Sequence, residues 1–220
     1  MDKTTSLSQK AYTLIRQKIV TLELAPGSII DETRLEQELM LGRTPIREAL
    51  LRLSLEKLIS IIPRRGIFVS DISIPHLLQL FELRLALEPL AARLAASRAN
   101  EAHFQRLEVI LNYSESSNDL TPSEIFIRVD QACHQIVYEA ADNKYLEDTL
   151  NILYTLSLRL WYYSRVNIKD LQVALEIHRS IISALKNRDA DLVSDLLGQH
   201  IRSFQEEIQG AMLGLSSRAS

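Results

Sequence analysis

The chain has 220 residues, 46% of them apolar, with a formal net charge of −3 and a single cysteine, Cys133. That length suits one large domain or two small ones, and that apolar share supports a real core. One cysteine excludes an intrachain disulfide, no stretch reaches the roughly 18 apolar residues of a membrane span, and the start "MDKTTSLSQKAY" lacks a signal peptide's apolar run, so a soluble, cytoplasmic protein is expected.

Charge and backbone breakers divide the chain. Residues 1–70 hold 11 Lys/Arg against 8 Asp/Glu, while the remainder holds 14 against 20. A mildly basic N-terminal part on an acidic remainder points to two modules with different partners. Gly27, Gly42 and Gly66 lie in the first part; no glycine then occurs before Gly198, and no proline follows Pro122. A long stretch rich in Leu, Ala, Glu and Arg without breakers reads as a helical array. The expected organisation is a first domain at 1–70, a linker at 71–75 within "SDISIPH", and a second domain at 76–220.

In "QKAYTLIRQKIVTLEL", Ala11, Leu14, Ile15, Ile19 and Leu22 are spaced like one helix face, and "APG" at 25–27 ends it. "IIDETRLEQELM" opens a second helix with Asp31 as cap and Leu35 and Leu39 as its buried stripe. "TPIREALLRLSLEKL" gives a third, with Ile46, Ala49, Leu50 and Leu53 inward; Thr44, or Gly42 less strongly, is its expected cap. "ISIIPRRGIFVS" reads as two short strands around a Pro-Arg-Arg-Gly turn. Helix, helix, short turn, helix and hairpin is the winged helix-turn-helix plan, with the third helix in the major groove of DNA.

Arg43 and Arg47 then become informative. A helix N-terminus carries partial positive charge and disfavours cations. Two arginines one turn apart there make sense if an anion meets them, as guanine O6/N7 or phosphate. Thr44 is a natural phosphate contact, Arg65 reaches the minor groove or backbone, and Gly66 permits close approach. The same spacing also fits a solvated basic face on a small helical domain.

Six helices are expected beyond residue 74, at about 74–98, 101–117, 122–140, 143–165, 169–187 and 189–213, with Pro89 predicting a kink in the first and "TPSE" a strong start for the third. Asp130 and His134 lie four apart on one face and can hold one ion. His178 and His200 fall on two other helices, which a bundle can bring together. One carboxylate and three imidazoles suit Zn²⁺, Ni²⁺, Mn²⁺ or Fe²⁺, although histidines at such spacing are more often plain surface or core residues. His76 and His103 are read as exposed and Cys133 as core. Arg84, on an otherwise apolar helix, either snorkels to solvent or faces a cavity.

Residues 8–70 resemble the DNA-binding domain of the GntR family of bacterial transcription regulators. The resemblance rests on "PG" before an "E..L" helix start, on "RTPIREAL", and on "L.....RRG.FV". It implies that Arg43, Thr44, Arg47, Arg65 and Gly66 contact double-stranded operator DNA. The family pattern has glycine at Met40 and a hydroxyl residue at Gly42. Residues 75–215 resemble the FCD domain of the FadR branch, through "FELRLALEPLAARLAA", the "D...H" pair and "H.SII.AL..RDAD......QHI". This implies an all-helical bundle that binds an effector and dimerises, its six helices favouring the VanR-like subgroup. It also implies a divalent metal (Zn, Ni or Mn) on Asp130, His134, His178 and His200, with Arg84 facing the cavity beside it. Two further departures are Cys133 for a common aromatic and Ile177 for a frequent glutamate.

A metal beside an arginine fork suits a small carboxylate effector. The fold expected is therefore mainly α, a winged helix-turn-helix plus a six-helix bundle. The function expected is a homodimeric transcription regulator switched by an organic acid, and not an enzyme. Two alternatives remain open. One is a metal-dependent enzyme, which lacks an evident general base and an HExxH motif. The other is a DNA-binding protein whose helical domain only dimerises.

Overall fold

Helix α1 (Leu7–Val20) opens at Ser6, whose hydroxyl accepts a hydrogen bond from the Gln9 N–H at 3.1 Å. The computed structural model describes residues 6–116, 120–164, 168 and 170–213; the expected helix ends at 117 and 165 and the start at 169 lie outside them. Ala11, Ile15, Ile19 and Val20 are buried on α1, whereas Leu22 lies past its end at φ 65° and is only half-buried. The expected stripe thus stops one turn early, because the helix ends at its C-cap Thr21 and Leu22 itself takes a left-handed conformation.

Helix α2 (Glu32–Leu39) begins where Asp31 accepts from the N–H groups of Thr33 and Arg34, at 2.9 and 3.1 Å. It ends at Met40, which takes left-handed angles, φ 51° and ψ 43°. The GntR pattern that the sequence resembles has glycine here, and a side chain in this conformation costs about 1–2 kcal/mol. Met40 is 90% exposed, so its side chain returns little by burial. We expect Met40→Gly to stabilise the protein by about 1 kcal/mol, read as a higher melting temperature. An unchanged or lower value would show that the turn carries no such strain.

Helix α3 (Arg43–Leu55) buries Ile46, Ala49, Leu50 and Leu53, the four expected positions. Gly42, not Thr44, is its N-cap; Thr44 already lies inside the first turn. Strands β1 (Ile59–Ile62) and β2 (Gly66–Val69) pair antiparallel, with Ile59 opposite Val69 and Ile62 opposite Gly66. The turn between them needs positive φ at Arg64 (62°) and Gly66 (112°). Ile29 bridges Phe68 on the hairpin's other side. The core of this unit joins Ile15, Ile19, Leu35, Ile46, Leu50, Leu53, Leu58 and Val69.

Six further helices follow among the described residues, as expected. They are α4 (Ile74–Arg98), α5 (Glu101–Ser116), α6 (Pro122–Ala140), α7 (Lys144–Ser164), α8 (Leu171–Lys186) and α9 (Ala190–Met212). Their starts follow from the sequence. Thr121 and Glu124 close a capping box on α6, with Pro122 in the first turn where its missing N–H costs nothing. Asp170 caps α8 and Asp189 caps α9. Helix α6 is buried along most of its length, and α4 buries a stripe of Leu77, Phe81, Arg84, Glu88, Ala91 and Ala95. The chain divides into two units, Met1–His76 with Thr155–Tyr163, and Leu77–Tyr154 with Ser164–Ser220. No described helix is long and apolar enough to cross a membrane.

Candidate nucleic-acid interface and metal centre

In the first unit the five residues singled out as DNA contacts are all exposed: Arg43, Thr44, Arg47, Arg65 and Gly66. Arg43 and Gly66 line one open depression together with Glu32, Thr33, Glu36 and Ile67, so the start of α3 and the wing share a surface. No side chain caps α3, because its cap residue is Gly42. The N–H groups of Arg43 and Thr44 are therefore left without a side-chain acceptor from the cap. Arg47 is held rather than free: its Nε donates to Glu32 Oε2 at 2.7 Å. Glu32 at the start of α2 was not singled out in the sequence, where nothing marks a pairing fifteen residues apart.

In the second unit, Asp130, His178 and His200 come together. One ligand atom from each lies within 4.8 Å of the others, and all three residues are buried. Asp130 Oδ1 is 3.1 Å from His178 Nε2 and 2.9 Å from His200 Nε2. His134 Nε2 stands outside this compact group, 3.6 Å from the same oxygen. Ligand atoms each about 2.0–2.2 Å from one ion sit roughly 3–3.5 Å apart, which is the spacing seen around Oδ1. One hard carboxylate oxygen with imidazole nitrogens converging on it is a donor set that fits a divalent transition ion. The other carboxylate oxygen, Oδ2, accepts from the Tyr154 hydroxyl at 2.6 Å.

Arg84 does not snorkel: it is 1% exposed. Its Nε pairs with Glu88 Oε1, and its guanidinium carbon lies 5.4 Å above the ring of Tyr154, the tyrosine bound to Asp130. Its Nη1 is buried with no hydrogen-bond partner. Cys133 is buried, and burial pushes its thiol well above the usual range, as befits core. His76 is exposed, as expected. His103 is half-buried instead, its Nδ1 accepting from the Asn100 N–H at 3.1 Å and its Nε2 3.7 Å from Glu139. The cause is local: the ring folds back over the start of its own helix.

Burial opposes charge throughout the centre, and the partners decide who keeps it. Burial raises the Asp130 carboxyl, but His134, His178 and His200 overcome this and hold it well below the carboxylate range. Burial likewise raises Glu88, yet Arg84 and His134 bring it down to about 2. Burial lowers His134, but Glu88 and Asp130 outweigh it and raise the imidazole to about 9. For His200 burial wins over Asp130 and lowers it to about 4. Tyr154 is raised by burial and by Asp130, so it stays protonated and donates.

Sequence reading missed Glu88, Tyr138 and Tyr154. Glu88 left a signal, since Arg84 and Glu88 are two charges four apart on the inward stripe of α4. The tyrosines left none, because aromatic residues on a buried helix read as core.

An exposed basic helix start beside a wing, with a separate helical unit around a buried Asp/His cluster, defines a two-module DNA-binding regulator. Residues 7–69 match the bacterial regulatory proteins of the gntR family and residues 79–203 match the FCD domain. The chain belongs to the GntR family and carries its FCD domain. Among curated relatives, the HTH-type transcriptional repressor RspR of Escherichia coli K12 is 30% identical over 95% of this chain and 92% of its own. The Nta operon transcriptional regulator of Aminobacter aminovorans is 28% identical over 91% of this chain and 96% of its own. In fold, the chain is similar to E. coli McbR/YncC, with a TM-score of 0.84 and 20% identity over 94% of this chain and 99% of that one. The chain is a transcription regulator and not an enzyme, which sets the metal-dependent enzyme aside.

Proposed function

We propose that this regulator binds operator DNA as a homodimer through Arg43, Thr44, Arg47, Arg65 and Gly66. In this reading residues 1–70 form the DNA-binding domain, 71–75 the linker, and 76–220 the effector-binding and dimerisation domain. Asp130, His134, His178 and His200 hold one divalent ion (Zn, Ni or Mn), and a small organic acid is held between that ion and Arg84. The observation that carries the effector reading is the buried, unpartnered Nη1 of Arg84 beside the tyrosine that binds Asp130. A buried donor left unmade costs about 1–3 kcal/mol, and a carboxylate supplies what it lacks. When bound, the ion supplies a positive charge for that carboxylate. Four protein ligands leave room for it on a five- or six-coordinate ion. The acid shifts DNA affinity only by its differential affinity for two arrangements of the dimer, typically about 1–3 kcal/mol.

Arg84→Lys tests the anchor. It keeps a cation opposite Glu88 but loses the planar fork. We expect operator binding without effector to persist and the response to an active organic acid to disappear, both read by fluorescence anisotropy of labelled operator. A variant that responds at the wild-type acid concentration excludes Arg84 as the anchor. A broad screen of organic acids without a binder at about millimolar concentration ends the carboxylate reading.

A further inference from the structure

Two of the three histidines of the centre, His178 and His134, differ in what stands behind them. His178 Nδ1 is buried with no hydrogen-bond partner. His134 Nδ1 lies 2.7 Å from Glu88 Oε2, on α4, and 3.2 Å from the hydroxyl of Tyr138, one turn along α6. The two nitrogens of an imidazole point in different directions, so only one of them reaches an ion. The other then carries the proton and, when buried, needs an acceptor.

We propose that Glu88 is a positioning residue for the metal centre: its carboxylate takes the Nδ1–H of His134 and so turns the Nε2 lone pair toward Asp130, His178 and His200.

Two partners compete for His134 Nδ1, and they favour opposite tautomers. A tyrosine hydroxyl donating into Nδ1 would leave the proton on Nε2, where it blocks ligation. A carboxylate can only accept, which fixes the proton on Nδ1. Glu88 is the nearer of the two, and Arg84 keeps it ionised by pairing with its other oxygen. Glu88 Oε1 pairs with Arg84, and Oε2 is the oxygen that approaches His134 Nδ1. The pair is at present close but not aligned: Oε2 has no formed hydrogen bond, and neither has His134 Nε2. A buried ion pair contributes little net stability compared with apolar residues of similar volume, so its place on the inward stripe of α4 calls for another role.

The inference rests on the metal centre proposed above, and its test separates the two. The full-length chain and two variants, Arg84→Met/Glu88→Met and Arg84→Met/Glu88→Gln, are titrated with Zn²⁺ against a competing chelator. Both variants remove the two charges together, so neither leaves one unpaired in the core. The Met variant is expected to bind zinc about 10–100-fold more weakly than wild type, the usual consequence of losing an outer-shell acceptor. The Gln variant, which retains a carbonyl acceptor, should recover part of that loss. A purely structural role would lower the melting temperature without separating Gln from Met in zinc affinity. Equal zinc affinity in all three proteins overturns the role of Glu88 and leaves the metal centre standing. No zinc binding by the wild type removes both. Nitrogen NMR on the zinc-loaded wild type decides independently of the variants: a proton on His134 Nδ1 is expected, and a proton on Nε2 overturns the proposal.

Discussion

Replacing Arg43 and Arg47 together by alanine is expected to weaken operator binding by about 2–6 kcal/mol, taking each lost bidentate guanine contact as about 1–3 kcal/mol. Both side chains are exposed and contribute nothing to the core of the first unit, so the fold should survive. Arg47 loses only its surface pair with Glu32, and such pairs stabilise by less than about 1 kcal/mol. Arg43→Ala alone should also blur base preference at one position per half-site, because a base contact carries sequence information that a phosphate contact does not. Wild-type binding should weaken steeply as salt rises, since cations meeting phosphates release counterions. Unchanged affinity in the folded double variant would remove these arginines from the interface. The pairing of Arg47 with Glu32 adds a finer expectation: Glu32→Gln should tighten binding, because it frees the guanidinium and removes a negative charge from the depression lined by Arg43 and Gly66.

The second large effect concerns the ion. Zn²⁺ bound only to the native state should stabilise the protein by about 4 kcal/mol at free zinc a thousandfold above its Kd. Asp130→Ala should abolish that increment, because Asp130 Oδ1 is the atom that His178 Nε2 and His200 Nε2 both meet. Protein purified with no bound divalent ion, and gaining no stability from Zn²⁺, Ni²⁺ or Mn²⁺, would refute the centre. The pH dependence has a definite sign in each form. Zinc binding should weaken as pH falls, since every ligating imidazole must be neutral. In chelator-treated protein the slope from His134 is the reverse. Its imidazole is raised to about 9 from an unfolded value near 6.5, chiefly by Glu88 and Asp130 against burial. The stability this contributes is complete below about pH 6.5 and is lost as pH rises through about 9. Melting curves at pH 6.5 and 9, with zinc and with chelator, should therefore diverge as pH rises. Parallel trends would mean that His134 does not ligate.

Much of the fold was legible because helix signals are local. The stripe Ile46, Ala49, Leu50 and Leu53 lies within two turns, and the caps Asp31, Thr121 and Asp189 act on amides two or three residues away. Where the sequence misled, the deciding force was also local but conformational. Leu22 continued the apolar spacing of α1, yet it lies past the C-cap Thr21 and its own left-handed angles take it off the helix. Thr44 was the better cap by chemistry, yet the entry angle at Gly42 placed it inside the helix.

The sequence by itself determined the two modules, the winged helix-turn-helix, the six-helix reading and the basic start of α3, since periodicity, capping and breaker positions act over a few residues. It also placed Asp130 and His134 on one face, because that pairing is set by the helical repeat. Only the tertiary structure decided that His178 and His200, 48 and 70 residues beyond Asp130, meet its one oxygen at 3.1 and 2.9 Å. The same holds for Arg84, whose place between an apolar stripe and a charged partner could mean solvent or core until α4 was packed. Glu88 shows the reason most plainly. Along the chain it is a helical glutamate one turn from an arginine, a pattern that usually lies in water. Packing turned that face inward, and desolvation then set the two charges against each other, with the ring of His134 beside Glu88 and Asp130 also acting on Arg84.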